Sequence, residues 1–324
     1  MSVLLPAWNE EATLGRCLES LLAIDWPDLE IIVCAGGTDA TAEVARNYQC
    51  AHPGAVTVLK QNRGEGKQIA LRRCYLKSGG DVIYLTDADC VVPAETFKTL
   101  IAAVGPNGAD AATGPTDPFP EQRSSPWIRH QWATARAVDR GRGLESTGLH
   151  GRNSAVRRAA IEAAGAFCDA VQTGTDYHLA KRLIEAGQTI HFLPASVQTR
   201  FDDRFQDHLA QQSRWMRNVL IHGPQLGAQA EAVSVARSIA LGIILLMWPL
   251  TWRWTKLPGI VLWLLPIGWM TRVRIRQQEL LEQEFELVPD DGKLPRAVLH
   301  SLADLVVWAR PALDLLIARR RHRW

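Results

Sequence analysis

The first 115 residues alternate short apolar runs with stretches of helical periodicity, and this alternation constrains the fold more than any other feature of the chain. Val3 to Leu5, Leu29 to Val33, Val56 to Leu59 and Val82 to Thr86 read as strands. Between them, Glu11 to Ile24 carries Leu14, Leu18, Leu21 and Leu22 on one helical face, and Ala40 to Asn47 and Gly66 to Lys77 read as further helices. Strands separated by helices and short loops pair in parallel, with helices on both faces of the sheet. The expectation is an α/β fold on a mostly parallel sheet, with ligands bound beyond the carboxyl ends of its strands.

Those ends carry the chemistry. The fourth strand delivers Asp87 and Asp89, one residue apart in DVIYLTDADCVVP. Residues i and i+2 at a strand end project to one side, so both carboxylates can face a diphosphate or a divalent cation. Hard oxygen donors suit Mg2+ or Mn2+; two solvated loop carboxylates are the bland alternative. After the first strand comes Pro6-Ala7-Trp8-Asn9-Glu10, and after the second Gly36-Gly37-Thr38-Asp39, where Thr38 or Asp39 can cap a helix. Asn62 to Lys67 precedes the third helix, where Lys67 can meet a phosphate or be an ordinary surface lysine.

Composition narrows the classes. A formal net charge of +2 on 324 residues leaves no nucleic-acid footprint. The six cysteines show no C-x-x-C pair and read as buried thiols of a reducing compartment, against a zinc site. The start of the chain reads as a core strand, with no charged leader and cleavage site.

Residues 116 to 150 are less regular. Four prolines precede a helix-like Trp127 to Asp139, and a glycine-rich turn, Thr147 to Ser154, precedes the helix Arg157 to Ala164. Asp176 stands at the start of a helix over Tyr177 to Ala186, where a capping role is the simple reading. Ile190 to Leu193 reads as a strand, and Gln211, Arg214 and Trp215 fall in a helical stretch.

Taken in order, Pro6 to Glu10, Gly36 to Asp39, Asp87-Ala88-Asp89, Gly174-Thr175-Asp176 and Gln211-x-x-Arg214-Trp215 resemble the family 2 glycosyltransferases. The branch they resemble carries the Q-x-x-R-W motif and includes cellulose, chitin and hyaluronan synthases and ceramide glucosyltransferases. The resemblance covers residues 1 to about 220. It implies a GT-A fold, with a nucleotide-sugar-binding half over 1–115 and an acceptor half over 116–232. It further implies that Pro6, Ala7, Trp8, Glu10, Asp39, Lys67, Asp87, Ala88 and Asp89 bind the nucleotide sugar and that Asp87 and Asp89 hold Mg2+ or Mn2+. Asp176 would be the general base, and Gln211, Arg214 and Trp215 would border acceptor and diphosphate. A single base opposite a metal-stabilised leaving group gives inversion by direct displacement. One departure stands out: the family's Asp pair after the second strand is replaced by Cys34-Ala35. Base recognition therefore differs, with UDP preferred over GDP.

From 233 to 324 the composition suggests membrane association. Val233 to Leu250 and Leu257 to Thr271 are strongly apolar, and Trp248, Trp252, Trp254 and Trp269 sit at their ends as interfacial anchors do. Two tilted spans, a re-entrant hairpin or a buried soluble hairpin fit these lengths. A third stretch, 297–318, is interrupted by charges and Pro311, and reads as an interfacial helix whose basic tail ARRRHRW lies on anionic lipid. The expectation is a membrane-bound inverting transferase with its catalytic domain on the cytoplasmic face, moving sugar to a lipid or lipid-linked glycan. A processive polysaccharide synthase with a separate export partner comes second, as the membrane part is small for a channel. A sugar nucleotidyltransferase or a non-catalytic membrane scaffold are the readings from other classes.

Overall fold

The computed structural model describes residues 1–105, 108–171 and 173–316; the side chains of 253, 255 and 316 fall outside the description, as does the ARRRHRW tail. The chain forms two compact units, Met1–Phe119 with Arg142–Arg200, and Pro120–Gly141 with Phe201–Trp324. The three-way partition at 115 and 232 expected from sequence cuts the chain differently.

Along the chain run β1 (Ser2–Trp8), α1 (Leu14–Leu22), β2 (Glu30–Gly36), α2 (Thr41–Ala51), β3 (Val56–Lys60), α3 (Gly66–Lys77) and β4 (Val82–Leu85). Next come β5 (Cys90–Val91), α4 (Ala94–Ala102), β6 (Ala111–Thr113), β7 (Thr116–Pro118) and α5 (Pro126–Arg140). The remainder comprises β8 (Ser154–Arg157), α6 (Arg158–Ala163), α7 (Thr175–Glu185), β9 (Ile190–Phe192), β10 (Val197–Thr199), α8 (Phe205–His222), α9 (Gln229–Met247), α10 (Trp252–Glu284) and α11 (Lys293–Leu316).

In the first unit a seven-stranded sheet runs in the order β3-β2-β1-β4-β8-β6-β9, parallel except where β8 opposes β4 and β6. A second, three-stranded sheet runs in the order β5-β10-β7, with β10 antiparallel to β5 and parallel to β7. Because successive strand residues point to opposite faces, each strand feeds two cores. Val3, Leu5 and Ala7 of β1 join Ile31, Val33 and Tyr84 under α1 and α4. Leu4 joins Ile32, Cys34, Ile83 and Leu85 under α3, α6 and α7. Helices thus cover both faces, as the alternation requires. The strand order reverses between β1 and β4, and that switch point is where the acidic and aromatic motifs emerge. Of the six cysteines, all free, Cys17, Cys34, Cys74 and Cys90 are buried, whereas Cys50 and Cys168 are exposed, which corrects the expectation that all are buried.

The second unit is helical. Leu209 and Met216 of α8 pack with Ile239 of α9 and Val307 of α11, while Leu245, Ile267, Met270 and Leu305 join α9, α10 and α11. Gly242 lets α9 and α11 touch: a Cβ there would stand 2.8 Å from that of Trp308. α9 and α10 fold back on each other. Pro249 has no N–H to give the Leu245 carbonyl four residues earlier, and the Trp263 indole N–H donates to that carbonyl at 2.8 Å instead. Trp248 donates to the Gly259 carbonyl, also at 2.8 Å. Among the described residues one helical stretch, Gln229–Thr251, is long and apolar enough to cross a membrane. The second apolar run does not form a comparable span: α10 is broken at Lys256 (φ 51°) and carries Pro258 and Pro266.

The expectation of a surface-lying helix over 297–318 also needs correction. α11 is packed against α8, α9 and α10, and three of the polar residues that interrupt its apolar pattern, His300, Asp304 and Asp314, are buried. Asp304 accepts from Arg274 (2.6 Å) and pairs with His130 (3.3 Å), and Asp314 accepts from Ser213 (2.6 Å).

Candidate active site

The β1 and β2 ends close onto each other before any ligand is considered. Gly36 can bear no side chain, since a Cβ would come within 2.4 Å of the Gln61 carbonyl oxygen and 2.8 Å of the Trp8 ring. Gly37, at φ +131°, would drive a Cβ into the Asn9 carboxamide, whose oxygen accepts from Thr38 N at 2.7 Å. Asn9 itself is left-handed (φ 58°), a conformation asparagine tolerates. Glu10 N donates to Thr41 Oγ1 (2.6 Å) and Glu11 N to Asp39 Oδ2 (3.2 Å). The other Asp39 oxygen accepts from Thr41 N at 3.1 Å, so this carboxylate holds the helix entry and the neighbouring loop. Ala7 is buried and Pro6 and Trp8 are half-buried. Cys34 and Ala35 lie inside β2, fully buried, and offer a base no polar group.

Asp87 and Asp89 leave β4 beside this pair. Lys67, at the start of α3, donates to Asp87 Oδ1 at 2.5 Å. Arg152 reaches both acids, Nε to Asp87 Oδ2 and Nη2 to Asp89 Oδ2, each at 3.4 Å. Thr199 of β10 donates to Asp89 Oδ2 at 3.1 Å. Ala88 between them is buried. Burial works against the charge on Asp87, yet Lys67 and Arg152 hold its carboxyl below the usual carboxylate range. Burial likewise opposes the charge on Lys67, and the carboxylates of Asp87 and then Asp176 outweigh it, raising the ammonium. Asp89 above all raises Arg152. Glu10 is pushed up, first by burial and then, against a hydrogen bond from Thr13, by the charges of Asp89 and Asp87.

Asp176 belongs to the same group. It lies in the first turn of α7, whose N-cap is Gly174, so the cap position is not its own. Its Oδ2 accepts from Gly151 N at 3.3 Å, and Gly151 is obligatory there because a Cβ would stand 2.9 Å from that of Asp176. The His150 to Asn153 turn therefore bridges Asp176 and the acidic pair. Asn153, fully buried, fixes it: Oδ1 accepts from Tyr84 Oη (2.7 Å), and Nδ2 donates to the carbonyls of Ala195 (2.7 Å) and Pro115 (3.2 Å). Arg152, Asn153 and Thr199 escaped the sequence reading. The only available signal was a charged residue set between Gly151 and Asn153 just ahead of a short apolar run.

Asp87 and Asp89, with side chains 22% and 19% exposed, fit a hard divalent cation. Magnesium-type ions keep one or two carboxylates and take their other oxygens from phosphate and water. Among the described residues no third His, Cys or acidic ligand completes a cage, which suits that division.

Gln211, Arg214 and Trp215 belong to the second unit, on α8. Spaced i, i+3, i+4, they share one side of the helix, opposite the buried Ser213 and Met216. Trp215 is 53% exposed, a flat apolar face turned to solvent.

A family model described as Glycosyl transferase family 2 matches residues 2–165, the segment that builds the sheet and the acidic pair. The chain belongs to glycosyltransferase family 2. Family membership sets aside the sugar nucleotidyltransferase alternative. The chain is similar to the probable glycosyltransferase YdaM of Bacillus subtilis, 26% identical over 231 residues, or 67% of this chain and 54% of that protein. It is also similar to the dolichol-phosphate mannosyltransferase of Pyrococcus furiosus, 31% identical over 116 residues, 35% of this chain and 32% of that one. The chain thus spans about half the length, or less, of these two relatives. Among solved structures, the mannosyltransferase of Pyrobaculum calidifontis in complex with GDP-Man and Mn2+ superposes with TM-score 0.68 at 19% identity, covering 98% of this chain and 87% of that one. This likeness establishes the GT-A type fold.

Proposed function

We propose that this protein is a membrane-bound, inverting glycosyltransferase that moves a sugar from a nucleoside-diphosphate sugar to a hydroxyl of a lipid or lipid-linked glycan. The observation that carries the reading is the convergence of Asp87, Asp89, Lys67, Arg152 and Asp176 at the β1/β4 switch point of a family 2 fold. Asp87 and Asp89 would hold Mg2+ or Mn2+, which, when bound, neutralises charge on the departing diphosphate. Pro6, Ala7, Trp8, Glu10 and Lys67 line the nucleotide-sugar side, with Asp39 shaping their loop. Asp176 accepts the proton of the attacking hydroxyl, and its carboxylate, after that of Asp87, helps to hold Lys67 as an ammonium beside the diphosphate. By the family resemblance, Gln211, Arg214 and Trp215 serve the acceptor and diphosphate, Trp215 as a stacking face for a sugar ring.

Support for membrane attachment comes from the apolar stretch Gln229–Thr251 and from exposed Leu250, Trp254, Leu257 and Trp269 around the α9–α10 hairpin. The Leu245 carbonyl, left without a helical donor by Pro249, is satisfied by the Trp263 indole, as a non-polar surrounding demands. The Pyrococcus relative's lipid-phosphate acceptor and the Mn2+ of the Pyrobaculum complex are in keeping with this reading. UDP is placed before GDP as the donor base.

The test is nucleoside diphosphate release from a panel of UDP- and GDP-sugars by the detergent-purified chain with Mn2+, with and without membrane lipid extract. Lipid-stimulated turnover of one donor is expected. Turnover only with a soluble glycan primer would instead indicate polysaccharide synthesis, and none with any donor would leave the scaffold reading. Asp176→Asn should lower transfer by about 10²- to 10⁴-fold with nucleotide affinity retained; equal loss of both would make Asp176 structural.

A further inference from the structure

The acidic pair is already neutralised from within the chain. Lys67 and Arg152 supply two positive charges to the two negative charges of Asp87 and Asp89, at 2.5 to 3.4 Å. None of the four side chains is more than 32% exposed, so water screens these charges only in part. A divalent cation arriving alone must therefore displace or face two resident cations. A diphosphate arriving alone meets Asp87, Asp89 and, beside them, Glu10. Only both together restore neutrality: the cation takes the carboxylates and the phosphate oxygens take the released Lys67 and Arg152.

Of the two, Arg152 is built to exchange. Its backbone is fixed on either side, by the Gly151 N–H on Asp176 and by the buried carboxamide of Asn153, leaving only the guanidinium to move. Its contacts to the acids are 3.4 Å, longer than the 2.7–2.9 Å of a tight charge-assisted bond. A planar guanidinium also matches phosphate oxygens in a way a lysine cannot. We propose that Arg152 is a resident counter-ion that guards Asp87 and Asp89 against a lone divalent cation and transfers to the donor's diphosphate, so that metal and nucleotide bind cooperatively. The proposal rests on the reading of Asp87 and Asp89 as metal ligands. By linkage, each of the two ligands then raises the affinity of the other by the same factor.

The experiment is calorimetric titration of the full chain in detergent with MnCl2 alone, with UDP or GDP alone, and with each in the presence of the other. Arg152→Gln removes the guard. It should bind Mn2+ alone about tenfold more tightly, and UDP or GDP in the presence of Mn2+ at least about tenfold more weakly, the scale of one hydrogen bond to a charged group. Arg152→Lys should retain the wild-type affinity for Mn2+ alone. Should Arg152→Gln fail to fold, as judged by its melting transition, Lys67→Gln carries the same test, because it lifts the second resident charge from Asp87. Mn2+ binding to the wild type that is unchanged or weakened by loss of either charge overturns the proposal while leaving the metal reading standing. No Mn2+ binding to the wild type, with or without nucleotide, overturns both.

Discussion

Replacing Asn153 by alanine should be among the most damaging single changes in the first unit. The side chain is fully buried and makes three hydrogen bonds, from Tyr84 Oη and to the carbonyls of Ala195 and Pro115. At about 1 kcal/mol for each bond lost, the direct cost is about 3 kcal/mol. The Pro115 carbonyl keeps the Val197 N–H as a donor, but the Tyr84 hydroxyl, on a ring with no exposure, loses its partner. An orphaned buried group adds about 1–3 kcal/mol, giving a total of about 4–6 kcal/mol. For a unit of this size that is a fall in melting temperature of roughly 8–24 °C, measurable by scanning fluorimetry in detergent. The sharper check is a double-mutant cycle. Tyr84→Phe should cost about 1 kcal/mol in the wild type but recover stability in Asn153→Ala, since it removes the orphaned hydroxyl. A drop of less than about 3 °C for Asn153→Ala, or an equal cost of Tyr84→Phe in both backgrounds, would refute the reasoning.

Two further outcomes are expected. Asp87 has its folded pKa depressed by Lys67 and Arg152 against the effect of burial, so its contribution to stability is present above the unfolded value of about 3.9 and is lost as pH falls through the folded one. Lys67→Gln should therefore flatten the acid limb of a melting-temperature profile below about pH 4; a limb as steep as the wild type's would contradict the pairing. In the native protein a maleimide should add to Cys50 and Cys168 only, with the other four thiols labelled after unfolding; intact-mass measurement showing more than two native adducts would contradict their burial.

Much of the first unit is legible in the sequence because its elements announce themselves locally. Gly66 to Lys77 is found as read, bounded by a positive-φ glycine at its start and Ser78 after it. Asp87 and Asp89 could be placed because four consecutive apolar residues lead into them. β6, β7, β8 and β10 have three or four residues each, too few for a period to show, and Ala111-Ala112-Thr113 has no strand composition. Arg152 was missed for a different reason. Its role is set by residues 65 positions earlier in the chain, and nothing local marks an arginine in a turn. In α11 the pattern was read correctly and its meaning inverted: Asp304 and Asp314 look like interruptions of an apolar stripe, yet they pair inward with Arg274 and Ser213. Sequence distance hides such partners.

The interleaving of the two units also sets an order of manufacture. α5 belongs with helices that follow Phe201, and its Trp132 and Ala133 pack on Leu281 of α10. On the ribosome α5 emerges more than 100 residues ahead of α10, a wait of roughly 5–20 s at ordinary translation rates. During that interval an indole with no exposure in the finished molecule waits for Leu281 and Phe285 to cover it. A truncation at Arg200, the natural place to cut if one sought the sheet alone, would make that interval permanent. Shortened versions of this chain should therefore excise 120–141 as well, closing the gap between Phe119 and Arg142, if they are to stay dispersed.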